Sequence, residues 1–196
     1  MYKLIWILLV TTNAFAFDIK KPITLDIGLG TWLENYGQTQ ATRDGETNGF
    51  EFNPYLSLAT QYNLYKGSIL IPEAGYIFQR TSESISRNQF FLRADIAYPL
   101  NKYLRVRVGS SFMVLMTSGE GGEDTLDNGD STETYYIPEE RKTAYNQTLD
   151  LALEALVDKM SYKLQGYIYS FNEEDDRMYS LSLSINYMIP FREIVK

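Results

Sequence analysis

The chain has 196 residues, no cysteine and no histidine, and a formal net charge of −7 at pH 7. These figures fit one folded domain, and they exclude His-based and Cys-based catalysis, disulfide bonds and metal sites built from His or Cys ligands. An acidic chain is also a poor partner for the phosphates of a nucleic acid. The 16 tyrosines and 10 phenylalanines are a large aromatic content that indicates an unusually apolar surface.

Residues 1–16 have the pattern of a secretory signal peptide. Lys3 gives a positive start, Leu4 to Val10 is an unbroken apolar run, and Ala14 to Ala16 has the small-x-small spacing that signal peptidase reads. The run is too short to cross a bilayer as a helix. We therefore predict cleavage after Ala16, which leaves residues 17–196 as one exported domain.

Apolar and polar positions alternate along most of the mature chain. No stretch beyond residue 17 approaches the roughly 20 apolar residues of a membrane helix, so a membrane-spanning form would have to cross with strands. Strands of a membrane barrel place apolar side chains toward lipid and polar ones toward the lumen at every second position. About eight segments have this pattern, the even number that closed bacterial barrels use. They are residues 23–34, 50–61, 69–79, 90–98, 104–116, 145–157, 162–168 and 179–189.

The connections between these segments alternate in length. Short turns are predicted at 63–66, 99–102 and 158–159. Outer-membrane barrels have short periplasmic turns and long extracellular loops, so this second pattern supports the first. The predicted fold is all-β, an eight-stranded antiparallel up-and-down transmembrane β-barrel. Its longer connections are residues 37–48, 81–87, 118–141 and 172–177.

Two features complicate the strand assignment. Residues 149–160 also fit the i, i+3, i+4 spacing of a helix, and Leu, Ala and Glu favour helix. We assign a strand to Tyr145–Val157 because the loss of one crossing would leave unpaired sheet edges in lipid. Pro54 and Pro72 lie inside strand segments, where each removes a ladder donor and predicts a bulge or a strand end.

Charged side chains of both signs fall on the polar face, which would line the lumen. An eight-stranded barrel is just wide enough for side chains to fill it. Because an unpaired buried charge costs several kcal/mol, we expect these groups to pair as a structural plug. Ion gating and acid–base catalysis are the alternatives for the same residues. Asp26 and Glu34 share this face, and the predicted network is Glu51, Glu73, Arg93, Asp95, Arg105, Arg107, Asp150, Glu154 and Lys163.

The connection after the fifth segment is rich in carboxylates. Residues 119–130 hold several Asp and Glu together with glycines, and oxygen-rich loops can bind Ca²⁺. The spacing does not match the EF-hand loop, whose ligands alternate before an obligatory glycine. A solvated surface loop is the expected structure, weak divalent-cation binding is the alternative, and we predict no metal or cofactor site.

With these patterns the chain resembles the small eight-stranded outer-membrane barrels of Gram-negative bacteria, the family of outer-membrane protein X and the membrane domain of outer-membrane protein A. The resemblance rests on the signal peptide, the alternating segments, the loop lengths and an aromatic-rich last strand, Tyr179 to Phe191. It implies a monomer in the outer membrane, in contact with lipid and lipopolysaccharide. It also implies that Tyr187 and Phe191 form the signal read by the barrel-assembly machinery, although residues 192–196 follow where many family members end.

Three functions fit the sequence. The first is an outer-membrane barrel that acts through its extracellular loops in adhesion, envelope integrity or ligand contact. The second is a soluble secreted or periplasmic lipocalin-like barrel that binds a small apolar ligand, and the third is a narrow ion channel. Outer-membrane deacylases and palmitoyltransferases of this size rely on a histidine, which the chain lacks, so no enzymatic activity is predicted.

Overall fold

The structure, a computed structural model, describes residues 22–34, 40–41, 47–48, 51–64, 67–78, 85–127, 132–171 and 178–194. The predicted signal peptide lies outside these residues. Twelve strands and one short helix are present in the described part of the chain. They are β1 Thr24–Glu34, β2 Gln40–Ala41, β3 Thr47–Asn48, β4 Glu51–Asn63, β5 Ile69–Ile77, β6 Ile85–Pro99, β7 Leu104–Gly119, β8 Glu123–Asp127, β9 Thr132–Tyr136, β10 Lys142–Val157, β11 Met160–Tyr169, β12 Met178–Pro190 and α1 Phe191–Ile194.

Eight of these strands close into one barrel. Its order is β1, β12, β11, β10, β7, β6, β5 and β4, which returns to β1, and every neighbouring pair is antiparallel. The predicted up-and-down eight-stranded barrel is confirmed, including the strand at Tyr145–Val157. The small strands β2 and β3 form a hairpin in the first long connection, and β8 and β9 form another in the third.

Short turns connect the strands at the barrel end where β1 begins, which we call the short-turn end. Leu64 N–H donates to the Ser68 carbonyl at 2.8 Å. The side-chain oxygen of Asn101 accepts from the N–H of Leu104 at 3.0 Å in the turn before β7. Asp158 has φ 53° in the two-residue turn between β10 and β11, a conformation that Asp tolerates better than most residues. The opposite end, with the longer connections, is the long-connection end.

Neither strand proline shifts the register, so no bulge forms, but the β4–β5 pairing is interrupted at Pro72, where the predicted ladder contact is lost. Pro54 pairs with Thr31 inside a continuous β1–β4 ladder. The β4–β5 pairs on the two sides of Pro72, Ala59 with Glu73 and Tyr62 with Leu70, belong to one register. Each proline lacks its own N–H, but the neighbouring pairs hold the strands in place.

Several element boundaries differ from the sequence prediction. The connection before β6 is shorter than expected, because Ile85 already begins the strand. The last strand ends at Pro190, and Phe191 begins α1. Part of the acidic stretch expected to be an open loop is strand β8, paired with the Thr- and Tyr-rich β9. Gly121 and Gly122, with φ 81° and 98°, redirect the chain into this hairpin.

Side chains alternate between an apolar exterior and a mostly polar interior. Leu29 and Leu151 are 62% and 61% exposed on the outer surface, whereas Asp95 and Glu154 are 0% and 1% exposed inside. Within the described ranges, no helix is long and apolar enough to cross a membrane.

Candidate functional site

The barrel interior gathers most of the predicted charge network. Glu51 is in β4, where its backbone pairs with Glu34, but its side chain lies outside the described residues. The other members come from five adjacent strands, β5, β6, β7, β10 and β11, and none is more than 4% exposed. These residues, which we call the charged layer, are Glu73, Arg93, Asp95, Arg105, Arg107, Asp150, Glu154 and Lys163.

Glu73 is the carboxylate with the most cationic neighbours in the charged layer. Its Oε2 atom accepts from Lys163 Nζ at 2.9 Å and lies 3.3 Å from a guanidinium nitrogen of Arg93. A guanidinium nitrogen of Arg107, the third cation, lies 3.4 Å from the same Oε2 atom. The three cations come from β11, β6 and β7, so one side chain of β5 joins strands on different sides of the lumen.

Arg107 links Glu73 to a second group of ion pairs. Its Nε donates to Asp95 at 2.9 Å, and another guanidinium nitrogen lies 3.4 Å from Glu154. Glu154 also accepts from Arg105 Nε at 2.5 Å. These pairs lie on the adjacent strands β6, β7 and β10, where the register places Arg105 directly opposite Glu154.

Arg93 connects the charges to the neutral residues around them. Its Nε donates to the Ser111 hydroxyl at 3.2 Å and lies 3.7 Å from Asp150 Oδ2. Its remaining nitrogens donate to the Gln165 amide oxygen and, at 2.8 Å, to the Tyr167 hydroxyl. A guanidinium is always charged and carries five donors, so these contacts satisfy several of them at once.

An aromatic layer covers the charged layer on the side of the long-connection end. It consists of Trp32, Tyr55, Phe91 and Tyr167, each at most 1% exposed. Trp32 stacks on Tyr167 with ring centroids 3.9 Å apart, and Tyr55 meets Phe91 edge to face at 5.7 Å. Arg93 joins the two layers, because its guanidinium lies 4.8 Å from the centre of the Phe91 ring.

Lys163 is predicted on the lumen face, and the alternation of its segment also places Tyr167 there, but the rest of this layer was not predicted. The signal was present, because Trp32 continues the inward series of Asp26, Gly28 and Gly30 on β1. Tyr55 shares the parity of Asn53 and Ser57 in the same way, and Phe91 that of Arg93.

Asp26 is a further buried carboxylate, between the charged layer and the short-turn end. Its Oδ2 accepts from the Gln61 amide at 2.6 Å, and Gln61 in turn accepts from Arg105 at 2.9 Å. The described interior therefore contains five buried carboxylates, with Asp26, and four buried cations. The carboxylates are packed among side chains, and several of them pair with cations that other strands carry.

Small residues make room for the long side chains. A Cβ on Gly109 would overlap Asp95, and one on Gly75 would overlap the Phe91 ring. Three inward positions of β12 are occupied by Ser180, Ser182 and Ser184, all nearly fully buried. Arginine and aromatic side chains from the facing strands fill the space that these residues leave.

Aromatic side chains are also concentrated near the two rims of the outer surface. Tyr98, Tyr162 and Tyr187 are exposed toward the short-turn end. Phe78 and Tyr145 are exposed toward the other end. Amphipathic rings prefer the headgroup zones on both sides of the hydrocarbon. Of the two residues predicted as an assembly signal, Tyr187 points outward from β12 and Phe191 lies in α1, where its N–H donates to the Ile23 carbonyl at 3.0 Å.

This surface is that of a membrane-embedded barrel and not of a soluble carrier. A lipocalin-like protein would need an apolar ligand cavity inside and a charged exterior, whereas here the charges are inside and the exterior is apolar. In the described strands the sheet closes on itself without an open edge, as a bilayer requires. The chain is therefore an eight-stranded β-barrel with the apolar outer surface of a membrane-spanning barrel.

Comparison with known proteins finds barrels of the same architecture and little sequence similarity. No family model matches the chain, and no curated protein is significantly similar to it. Neisserial surface protein A is 7% identical, with a TM-score of 0.49 over 88% of this chain and 100% of that one. Ail, the attachment invasion locus protein of Yersinia pestis, is 10% identical, with a TM-score of 0.44 over 87% and 100%. The N-terminal barrel domain of Pseudomonas aeruginosa OprF is 11% identical, with a TM-score of 0.43 over 86% and 100%.

Proposed function

We propose that this chain is a monomeric, non-enzymatic outer-membrane barrel of a Gram-negative bacterium, closed inside and active at its long-connection end. That end faces the cell exterior and serves adhesion, envelope integrity or contact with a ligand. The observation that carries the proposal is the filled interior, with the aromatic layer stacked on the charged layer. A barrel whose lumen is occupied by its own side chains must act through its surface.

The alternative of a narrow channel makes the opposite prediction. An ion crossing the barrel would have to separate the contacts of Glu73 and also displace the rings around Trp32. Both are fully desolvated, so each displacement costs several kcal/mol. We expect no reproducible conductance in planar bilayers. Steady single-channel currents through the native chain, whether or not Trp32→Ala changes them, would support a channel and refute closure.

A three-stranded sheet projects beyond the barrel at the long-connection end. The β6–β7 ladder continues to Ile85 and Gly119, and the β7–β10 ladder continues to Lys142. Among the described residues, the β5–β6 ladder ends at Gln89 and the β10–β11 ladder begins at Thr148. This projecting sheet and the β8–β9 hairpin offer exposed backbone and side chains to an extracellular partner, and strand addition at a sheet edge is one way to bind it.

The function of this end can be tested separately from the barrel. Replacing residues 121–137 with a short Asn-Gly turn removes the hairpin and leaves the described parts of all eight barrel strands intact. We expect outer-membrane fractionation and heat-modifiable migration to be unchanged, while attachment of expressing cells or their survival in detergent decreases. If both properties match those of cells with the full chain, the proposed role of this hairpin is wrong.

A further inference from the structure

Gly166 is a barrel glycine that neither backbone conformation nor packing explains. Its φ is not in the left-handed region. A Cβ placed on Gly28, Gly75 or Gly109 would overlap neighbouring atoms, but one on Gly166 would meet only a Leu181 methyl group at 3.7 Å and a carbonyl oxygen at 3.9 Å. These are ordinary contacts. Because glycine inside a strand weakens it, this position calls for another explanation.

The missing side chain opens a groove on the membrane-facing surface. Gly166 continues the outward series of Tyr162 and Leu164 on β11, and its ladder partners are Leu151 on β10 and Leu181 on β12. The resulting groove has a volume of about 930 Å³. It runs from Tyr179, near the aromatic rim of the long-connection end, past Gly166 to Leu164, Leu153 and Val106.

The walls of the groove are aliphatic. Leu149, Leu151 and Leu164 are exposed along it, and the polar residues at its floor, such as Asp150, turn their side chains into the barrel. The backbones that carry Leu151 and Leu181 flank a single strand, so they are about 10 Å apart. That width suits one linear chain, whereas the convex wall of a second barrel would contact a wider face.

We propose that this groove is a seat for one acyl chain of a lipid in the leaflet at the long-connection end. The inference rests on the proposed membrane orientation, which surrounds this band of the barrel with lipid. The acyl chain lies between Leu151 and Leu181 over Gly166, and the lipid headgroup lies at the level of Tyr179. The recognised chemistry is a saturated hydrocarbon chain, and burial of each CH₂ group favours binding.

The fraction of the protein that retains one bound lipid tests directly whether the groove binds an acyl chain. The full chain is extracted in mild detergent with dipalmitoyl phosphatidylethanolamine, and native mass spectrometry gives the fraction that carries one lipid. We expect Gly166→Leu to reduce that fraction at least fivefold and Gly166→Ala to reduce it slightly. The matched control is Ala94→Leu, an exposed outward position on β6 across the barrel, which should retain lipid like the native chain.

Two outcomes would overturn the proposal. Equal retention by Gly166→Leu and Ala94→Leu, or no retained lipid on the native chain, would mean that the groove holds no specific acyl chain. The chain has no cysteine, so a disulfide-linked dimer of Gly166→Cys in phosphatidylethanolamine vesicles would assign the groove to a second copy. Heat-modifiable migration of every variant reports insertion independently, so a failure of the membrane assignment itself is recognised separately.

Discussion

Replacement of Glu73 by glutamine tests whether local pairing stabilises the interior. The substitution keeps the shape of the side chain and removes the charge that Arg93, Arg107 and Lys163 share. Arg93 keeps its contact with Asp150, and Arg107 keeps Asp95. Among the described residues, Lys163 has an ion pair only with Glu73, so its ammonium becomes a buried charge without a counter-ion.

The expected cost follows from that loss. Removing one member of a buried ion pair typically destabilises a protein by about 3–5 kcal/mol. The substitution also makes the described interior formally neutral, four cations against four carboxylates instead of five. If total charge governed stability, Glu73→Gln would be neutral or favourable. We expect it to lower the free energy of unfolding by about 3–5 kcal/mol, because the individual contacts decide the outcome.

Urea titration in phospholipid vesicles, followed by the fluorescence of Trp32, measures this difference. The control Glu140→Gln changes an exposed carboxylate and should cost less than about 0.5 kcal/mol. Combining Glu73→Gln with Lys163→Met should recover about 0.5–3 kcal/mol relative to the sum of the single changes. A cost for Glu73→Gln no larger than that of the control, or a coupling of zero, would refute the reasoning.

Three further substitutions probe other parts of the barrel. Leu151→Arg places a charge in the apolar band and should cost about 2–4 kcal/mol in a refolding titration into lipid, clearly more than Leu151→Ala. Gly109→Ala forces a Cβ against Asp95 and a carbonyl oxygen, and should cost about 1–3 kcal/mol in the urea midpoint analysis. Trp32→Ala removes the ring stacked on Tyr167 and should lower the thermal unfolding free energy by about 3–5 kcal/mol. A loss below 1 kcal/mol for any of the three would contradict its assigned environment.

Strand positions were predictable because the barrel imposes one simple periodicity. Leu151 and Asp150 point to opposite sides of β10, although the same stretch also fits a helix. The strand was predicted because a barrel with an even number of strands needs an eighth one to close its edges. The hairpin at 123–136 was not predictable in this way. Its short strands carry acidic residues that are common in loops, and only pairing with Thr132–Tyr136 makes them strands.

Which charged side chains pair inside the lumen depends on how the barrel closes. The local alternation of residues does not predict these pairs. Arg105 and Glu154 are direct ladder neighbours on adjacent strands, a contact that strand order suggests. Glu73 and Lys163 come from strands that are not adjacent, and they meet only because the sheet closes on itself. The alternation along the sequence predicts which residues face inward, but the ion pairs among them form only in the closed barrel.

The hydrogen bond from Phe191 to Ile23 closes the wall where its first and last strands meet. β1 and β12 pair along ten residues there, as continuously as strands that are adjacent in sequence. The closed sheet therefore has no structurally distinct first strand. The point at which the chain begins does not change which strands are paired. A short linker from Phe191 to Ile23, with new termini cut at the Asn101 turn, would yield a circular permutant with the same ladders and the same lumen.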